Sequence, residues 1–160
     1  MLTKKIIFIM ALIGSFSTFA KVGTETGGGG DSSEIRVHEI RVDLLNWINK
    51  GGAKDLVLPK EITRSDYEKK MKEILKAKVV VIGFTNSNVS VNDVPKTCRS
   101  FIAQDSNRPS ILCNLKRFNE LDESEQYRLV HHEFAGLVSM ENNDQAASDY
   151  YISSQITDYL

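Results

Sequence analysis

The sequence predicts an α+β fold, and three observations carry that prediction. Two segments after residue 30 repeat apolar side chains at helical spacing behind capping-type residues. A β-branched run follows, and then two strand candidates that each contain a cysteine. A third capped segment, amphipathic like the first two, carries His131, His132 and Glu133. The architecture expected is two N-terminal helices, a small, mainly antiparallel three-stranded sheet with a disulfide-stapled hairpin, and a late helix packed on that sheet. A chain of 160 residues holds one such domain and hardly two.

The N-terminus precedes the domain. Lys4 and Lys5 supply positive charge, Ile6 to Ile13 is an unbroken apolar run, and Thr18-Phe19-Ala20 places small residues where a signal peptidase reads. Residues 1–20 therefore read as a cleavable signal peptide, too short to span a bilayer, which takes about 20 apolar residues. Residues 21–30 end in four glycines and read as a flexible tether. Residues 31–160 form the expected domain, exported to the periplasm or beyond. The formal charge of −1 becomes −1 − 2 = −3 once Lys4 and Lys5 are removed. That mildly acidic, mixed balance gives no basic footprint for nucleic acid. No later run is apolar enough for a membrane span.

Each element has a local signature. Asp31 with Glu34 forms a capping-box pattern, Val37, Ile40, Leu44, Trp47 and Ile48 make the apolar stripe, and Gly51-Gly52 ends the helix. His38 falls opposite that stripe and is expected in solvent. Ser65 with Glu68 is the expected cap of the second helix, whose buried face is Tyr67, Met71, Ile74 and Leu75. Its lysine-rich face reads as solvated. Val79 to Ile82 is continuous and β-branched, the pattern of a strand covered on both faces. Asn86 to Asn92 reads as a loop. Thr97 to Ala103 and Ser110 to Leu115 are strand candidates, joined by the turn-type residues of Gln104 to Pro109.

The cysteines test that hairpin. Opposing Cys98 to Cys113 sets paired positions to a constant sum and puts the turn centre at Asp105-Ser106, inside the expected loop. In an exported chain the two cysteines then form a disulfide. Asp122 with Glu125 is a third capping box, opening a helix expected to run to about Met140. Glu141 to Asp149 reads as a loop, and Ser153 or Ser154 as the cap of a last short helix to Leu160.

The chemistry concentrates on the third capped helix. At about 100° per residue, Val130, Phe134 and Leu137 share one arc, and Glu133 falls within it. His131 and His132 fall at opposite margins, with Gly136 leaving room beside His132. The stretch His132-Glu133-Phe134-Ala135-Gly136 resembles the H-E-x-x-H active-site helix of zincin metallopeptidases. There two histidines one turn apart hold zinc and the glutamate is the general base. The resemblance makes zinc the candidate cofactor, His132 the candidate ligand with His131 a poorer one, and Glu133 the candidate base. Gly136 stands where the second histidine belongs, so Glu141, Asp144 or Asp149 would have to replace it. The element order is similar to a reduced zincin lobe. The alternative is structural: Tyr150, Tyr151 or Arg99 could satisfy Glu133 as an internal hydrogen-bond partner. No G-x-S-x-G elbow, P-loop or dinucleotide fingerprint occurs.

The stretches GTETGGGGD (Gly23 to Asp31), VPKTCR (Val94 to Arg99), ILCNLKRF (Ile111 to Phe118), HHEFAGL (His131 to Leu137) and SDYYISSQITDYL (Ser148 to Leu160) resemble a family of small exported bacterial proteins of unassigned function. That resemblance implies a shared fold and secretion, and no activity. The reading that follows is an exported, non-catalytic binding or structural module, with a zincin-like hydrolase using His132 and Glu133 as the alternative.

Overall fold

The computed structural model describes residues 30–142 and 149–156. The expected signal peptide, all of the tether before Gly30, the Asp31 side-chain cap, Asp144 and the chain after Ile156 lie outside the described residues.

The helical half forms where the apolar stripes predict, with the first helix already formed at Asp31, the expected cap. Helix α1 (Gly30–Asn49) is followed by a 3-10 helix (Gly52–Asp55), and α2 (Arg64–Lys76) packs on α1. Val37, Ile40, Leu44, Trp47 and Ile48 are all buried, and His38 is exposed, as expected. Helix α1 ends at Gly51, whose φ of 82° only glycine adopts without strain. Gly52 has another reason to lack a side chain: a Cβ there would sit 2.1 Å from the Trp47 indole nitrogen. The second helix starts earlier than expected. Its cap is Thr63, whose hydroxyl accepts from the Asp66 N–H at 3.1 Å, not Ser65, which is already inside the helix. Arg41 of α1 donates to the carbonyls of Leu75 and Ala77 at 2.5 and 2.9 Å. It thereby binds carbonyls at the end of α2 and ties the two helices together.

The sheet is mixed. Strands β1 (Val81–Thr85), β4 (Cys98–Ala103) and β5 (Arg108–Asn114) assemble in the order β1-β5-β4. The β4–β5 hairpin is antiparallel with Cys98 opposite Cys113 and Phe101 opposite Ser110, the register set by the cysteines. The disulfide closes across that pair with a Cα separation of 4.0 Å. Strand β1 pairs with β5 in parallel, and its side chains are exposed or half-buried throughout, so the β-branched run is not covered on both faces as expected. It is an edge strand, and Val81 is 46% exposed. The expected Asn86–Asn92 loop is also partly strand. Strands β2 (Val89–Val91) and β3 (Val94–Lys96) form a two-stranded ribbon around Asn92-Asp93. Both turn residues have positive φ, 49° and 62°, the geometry of a tight primed turn.

Asn114 ends β5 and caps a short helix, α3 (Leu115–Asn119), by accepting from the Arg117 N–H at 2.9 Å. Helix α4 (Glu123–Leu137) opens with the predicted Asp122–Glu125 capping box. It stops three residues short of Met140. Ser139 takes a left-handed φ of 57°, and the N–H groups of Ser139 and Met140 fold back onto the carbonyls of Gly136 and Ala135. This is a Schellman closure with serine in the position glycine favours. Helix α4 packs on β4, on α1 and α2, and on the last described helix, α5 (Ser153–Ile156). The core sits among these elements, with Tyr67, Phe118, Phe134, Ile152 and Ile156 fully buried.

Candidate functional site: a buried polar clamp on helix α4

Three consecutive helical residues, each about 100° from the next, point to three different neighbours. His131 turns toward α2 and α5, His132 toward Glu141 and Tyr150, and Glu133 toward β4. None lies at a solvent-facing margin. His131 is 0%, His132 1% and Glu133 3% exposed. A helical wheel of α4 alone could not show this, because the covering segments come from elsewhere in the chain.

His131 sits in a chain of hydrogen bonds. Tyr67 Oη is 2.8 Å from His131 Nε2, Ser153 Oγ is 2.6 Å from His131 Nδ1, and Ser153 Oγ also contacts Glu141 Oε2. One assignment satisfies every member. The Tyr67 hydroxyl donates to Nε2, the Nδ1–H donates to Ser153, and the Ser153 hydroxyl donates to the carboxylate. The titrations agree with it. Burial pulls His131 down to about 4, opposed by the Glu141 charge and reinforced by His132. Burial, with the charges of Glu141 and Glu68, also holds Tyr67 far above the ordinary phenol value. Both groups stay neutral.

Glu141 is the hub. Its Oε1 accepts from the backbone N–H groups of Ile152 and Ser153, each at 2.7 Å. Its Oε2 accepts from His132 Nδ1 at 2.7 Å and from the Ser153 hydroxyl. A carboxylate offers about four lone-pair sites, and all four are used. Burial works to raise the Glu141 carboxyl. The His132 hydrogen bond, the His131 interaction and the two Ser153 bonds outweigh it and hold the group below its usual value. His132 also stacks on Tyr150, with ring centroids 3.9 Å apart at 24°.

Glu133 reaches the sheet. The Ser100 hydroxyl and the Ser100 backbone N–H of β4 bond its carboxyl. Burial pushes that carboxyl up to about 7 against the opposing pull of His132, Ser100 and Lys96. Of the partners weighed from sequence, Tyr150 stacks on His132 and feels the Glu133 charge, Tyr151 is 46% exposed, and the Arg99 guanidinium lies over the Phe101 ring at 4.9 Å. Ser100 carried no sequence signal beyond its place on an inward-facing strand position. Tyr67 carried one: a tyrosine on an apolar stripe needs a partner for its hydroxyl.

Zinc fits this donor set poorly. Gly136 supplies no ligand, and the Glu141 oxygens are saturated by four donors. Among the described residues, no three His, Cys, Asp or Glu side chains converge as a metal-holding group. A cavity of about 660 Å³ adjoins the clamp and is lined by Ser100, Ile102, Glu141 and Tyr151 among others. It reaches the residues that hold His132 and Glu133, but neither of those two lines it. No helix among the described residues is long and apolar enough to cross a membrane.

No protein-family model matches the chain, and no curated protein or solved structure matches it. The site's own geometry therefore carries the functional reading.

Proposed function

We propose that the chain is a small exported module that works by binding or scaffolding, without catalysis. Its His131-His132-Glu133 helix serves as an internal clamp. One observation carries the reading: every polar side chain of that triplet is at most 3% exposed and bonded to its own fold. A reacting group needs access to substrate within hydrogen-bond reach, and these groups face inward. Export is supported by the charge, apolar run and small-residue order of residues 1–20, and the Cys98–Cys113 disulfide is compatible with it.

The zincin-like alternative draws on Glu133, whose carboxyl near 7 would suit a general base. The glycine at the second ligand position, and the lack of a converging ligand group among the described residues, argue against its metal. Metal analysis of the purified domain separates the two readings, with His132→Ala beside the parent protein. The module reading expects substoichiometric zinc in both and lower thermal stability in the variant. One zinc per chain in the parent, lost in the variant, would overturn it.

A further inference from the structure

The three-stranded sheet has two edges, and the chain treats them differently. At the β4 edge, helix α4 packs against the strand, Glu133 accepts from the Ser100 N–H, and Arg99 adds an exposed charge. Helix cover, an occupied amide and charge are the usual defences of a sheet edge. Strand β1 is left plain. Val79 to Thr85 carries no charge and no proline, and among the described residues no strand lies beyond it. Helix α1 packs on its core face, yet Ile82 and Phe84, whose side chains point that way, stay half-buried. Val79 and Val81 are 58% and 46% exposed.

The ladder fixes which backbone groups face outward from β1. Asn114 donates to the Thr97 carbonyl, so its bonds run toward β4. By alternation those of Cys113 and Ile111 run toward β1. In the parallel register Ile82 lies beside Ile111 and Phe84 beside Cys113. A parallel ladder sends its bonds to the residues on either side of the one alongside, here Val81, Gly83 and Thr85. The N–H and C=O groups of Ile82 and Phe84 therefore point away from the sheet. Among the described residues no turn, cap or further strand bonds them.

These groups match a second copy of the same strand. A twofold axis at Gly83, perpendicular to the sheet, sets Ile82 opposite Phe84 of the second copy and Phe84 opposite its Ile82. Those are the outward-bonding positions, so each pair exchanges both of its N–H to carbonyl bonds. Val81 falls opposite Thr85 of the second copy, a β-branched cross-strand pair. Gly83 meets its own mate in a non-hydrogen-bonded pair, where Cα atoms approach to about 4.5 Å. The chain's own fold does not require glycine there. Its φ is not positive, and among the described residues an added Cβ would meet only the Leu112 side chain, at 3.8 Å. Glycine inside a strand costs stability and often marks the close approach of another backbone. No like charges meet in this register: Lys78 falls opposite Asn88 of the second copy. We infer that β1 pairs antiparallel with β1 of a second copy, joining two sheets into one of six strands. The guarded β4 edges close the assembly at two chains. The pairing stands apart from the clamp and is the same whether or not His132 binds a metal.

A ladder of five residues is small beside the roughly 1,200–2,000 Å² of stable interfaces. The dissociation constant therefore belongs between about 1 μM and 1 mM. Sedimentation velocity of the purified protein across that concentration range should show a monomer–dimer equilibrium. Val81→Lys places a charge opposite Thr85 of the second copy, and Thr85→Glu places one opposite its Val81. Each should raise the dissociation constant at least about tenfold, because each strikes both symmetry-related pairs. An equimolar mixture of the two variants should recover the dimer, since the introduced ammonium of one chain then faces the introduced carboxylate of the other. An unchanged urea midpoint, measured where the parent is monomeric, identifies a folded variant, and either variant alone suffices for the comparison with the parent. A parent that stays monomeric, assemblies that grow past two chains, a folded variant that dimerises as well as the parent, or a mixture no tighter than its components would each overturn the assignment.

Discussion

Replacing Glu141 by alanine should be the most damaging single change in the clamp. It strips the acceptor from four donors at once: the His132 Nδ1–H, the Ser153 hydroxyl, and the backbone N–H groups of Ile152 and Ser153. Each buried donor left unsatisfied costs about 1–3 kcal/mol, and costs within one network do not add fully. Water will reach some of them as the segment loosens. A loss of about 3–5 kcal/mol is the reasoned outcome, similar to breaking a buried ionic pair. Set against the roughly 5–15 kcal/mol that holds a domain together, it is about a fifth of the stability at the least. At about 4 °C per kcal/mol, the melting temperature should fall by roughly 12–20 °C. Urea unfolding followed through Trp47 fluorescence and circular dichroism gives the number directly. Glu141→Gln should fall between parent and alanine, because the amide keeps one accepting oxygen. A cost below about 1 kcal/mol for Glu141→Ala would show that the carboxylate does not hold the C-terminal segment, and the clamp argument would fail.

Three further outcomes follow from the same geometry. His131 is depressed from 6.5 to about 4, so its contribution is lost as pH falls through that interval. Glu133 is raised from 4.5 to about 7, so its contribution is lost as pH rises. The two slopes oppose each other between about pH 4.5 and 6.5, and the parent protein should show a nearly flat stability profile there. Glu133→Gln should unmask a fall toward acid of up to about 1.4 kcal/mol per pH unit; a profile superimposable on the parent's would contradict the assignment. Gly52→Ala should cost about 1–3 kcal/mol and shift Trp47 emission, because the new methyl group meets the indole. An unshifted spectrum with full stability would show that the contact is not tight. Replacing Cys98 and Cys113 together by alanine should cost about 3 kcal/mol for a loop of 15 residues, read as a lower urea midpoint; an unchanged midpoint would deny the bridge a stabilising role.

Much of the scaffold was legible because its determinants are local. The Asp122–Glu125 box, the α1 stripe and Gly51 act within a few residues, and the cysteine register placed every pair of the β4–β5 hairpin. Thr63 was passed over for Ser65 because both precede a helical stripe with an acidic residue three positions on. The β2–β3 ribbon did leave a trace. Asn92-Asp93 is a two-residue turn flanked by Val-Ser-Val and Val-Pro-Lys, a hairpin signal hidden by the polar composition around it. The exposure of Val81 was not legible, since β-branched residues favour strands at edges and centres alike. The clamp was the least legible part. His131, His132 and Glu133 could be singled out, but their partners Tyr67, Ser100 and Ser153 lie 64, 33 and 22 residues away. Nothing in the spacing of α4 indicates which segments will close over it. Glu141 was visible only as the start of a loop and as one of three stand-ins for a missing ligand.

The clamp also imposes an order of events on a growing chain. Glu141 finds its backbone donors 11 and 12 residues downstream, at Ile152 and Ser153. Until those residues are delivered, the carboxylate and the histidines it organises are better served by water than by the interior. The helical layer then has reason to stay open while the chain is incomplete, and to shut only when its far segment arrives. Trimming before Ile152 would accordingly do more than shorten a tail: it would take away the latch and leave the interior ajar.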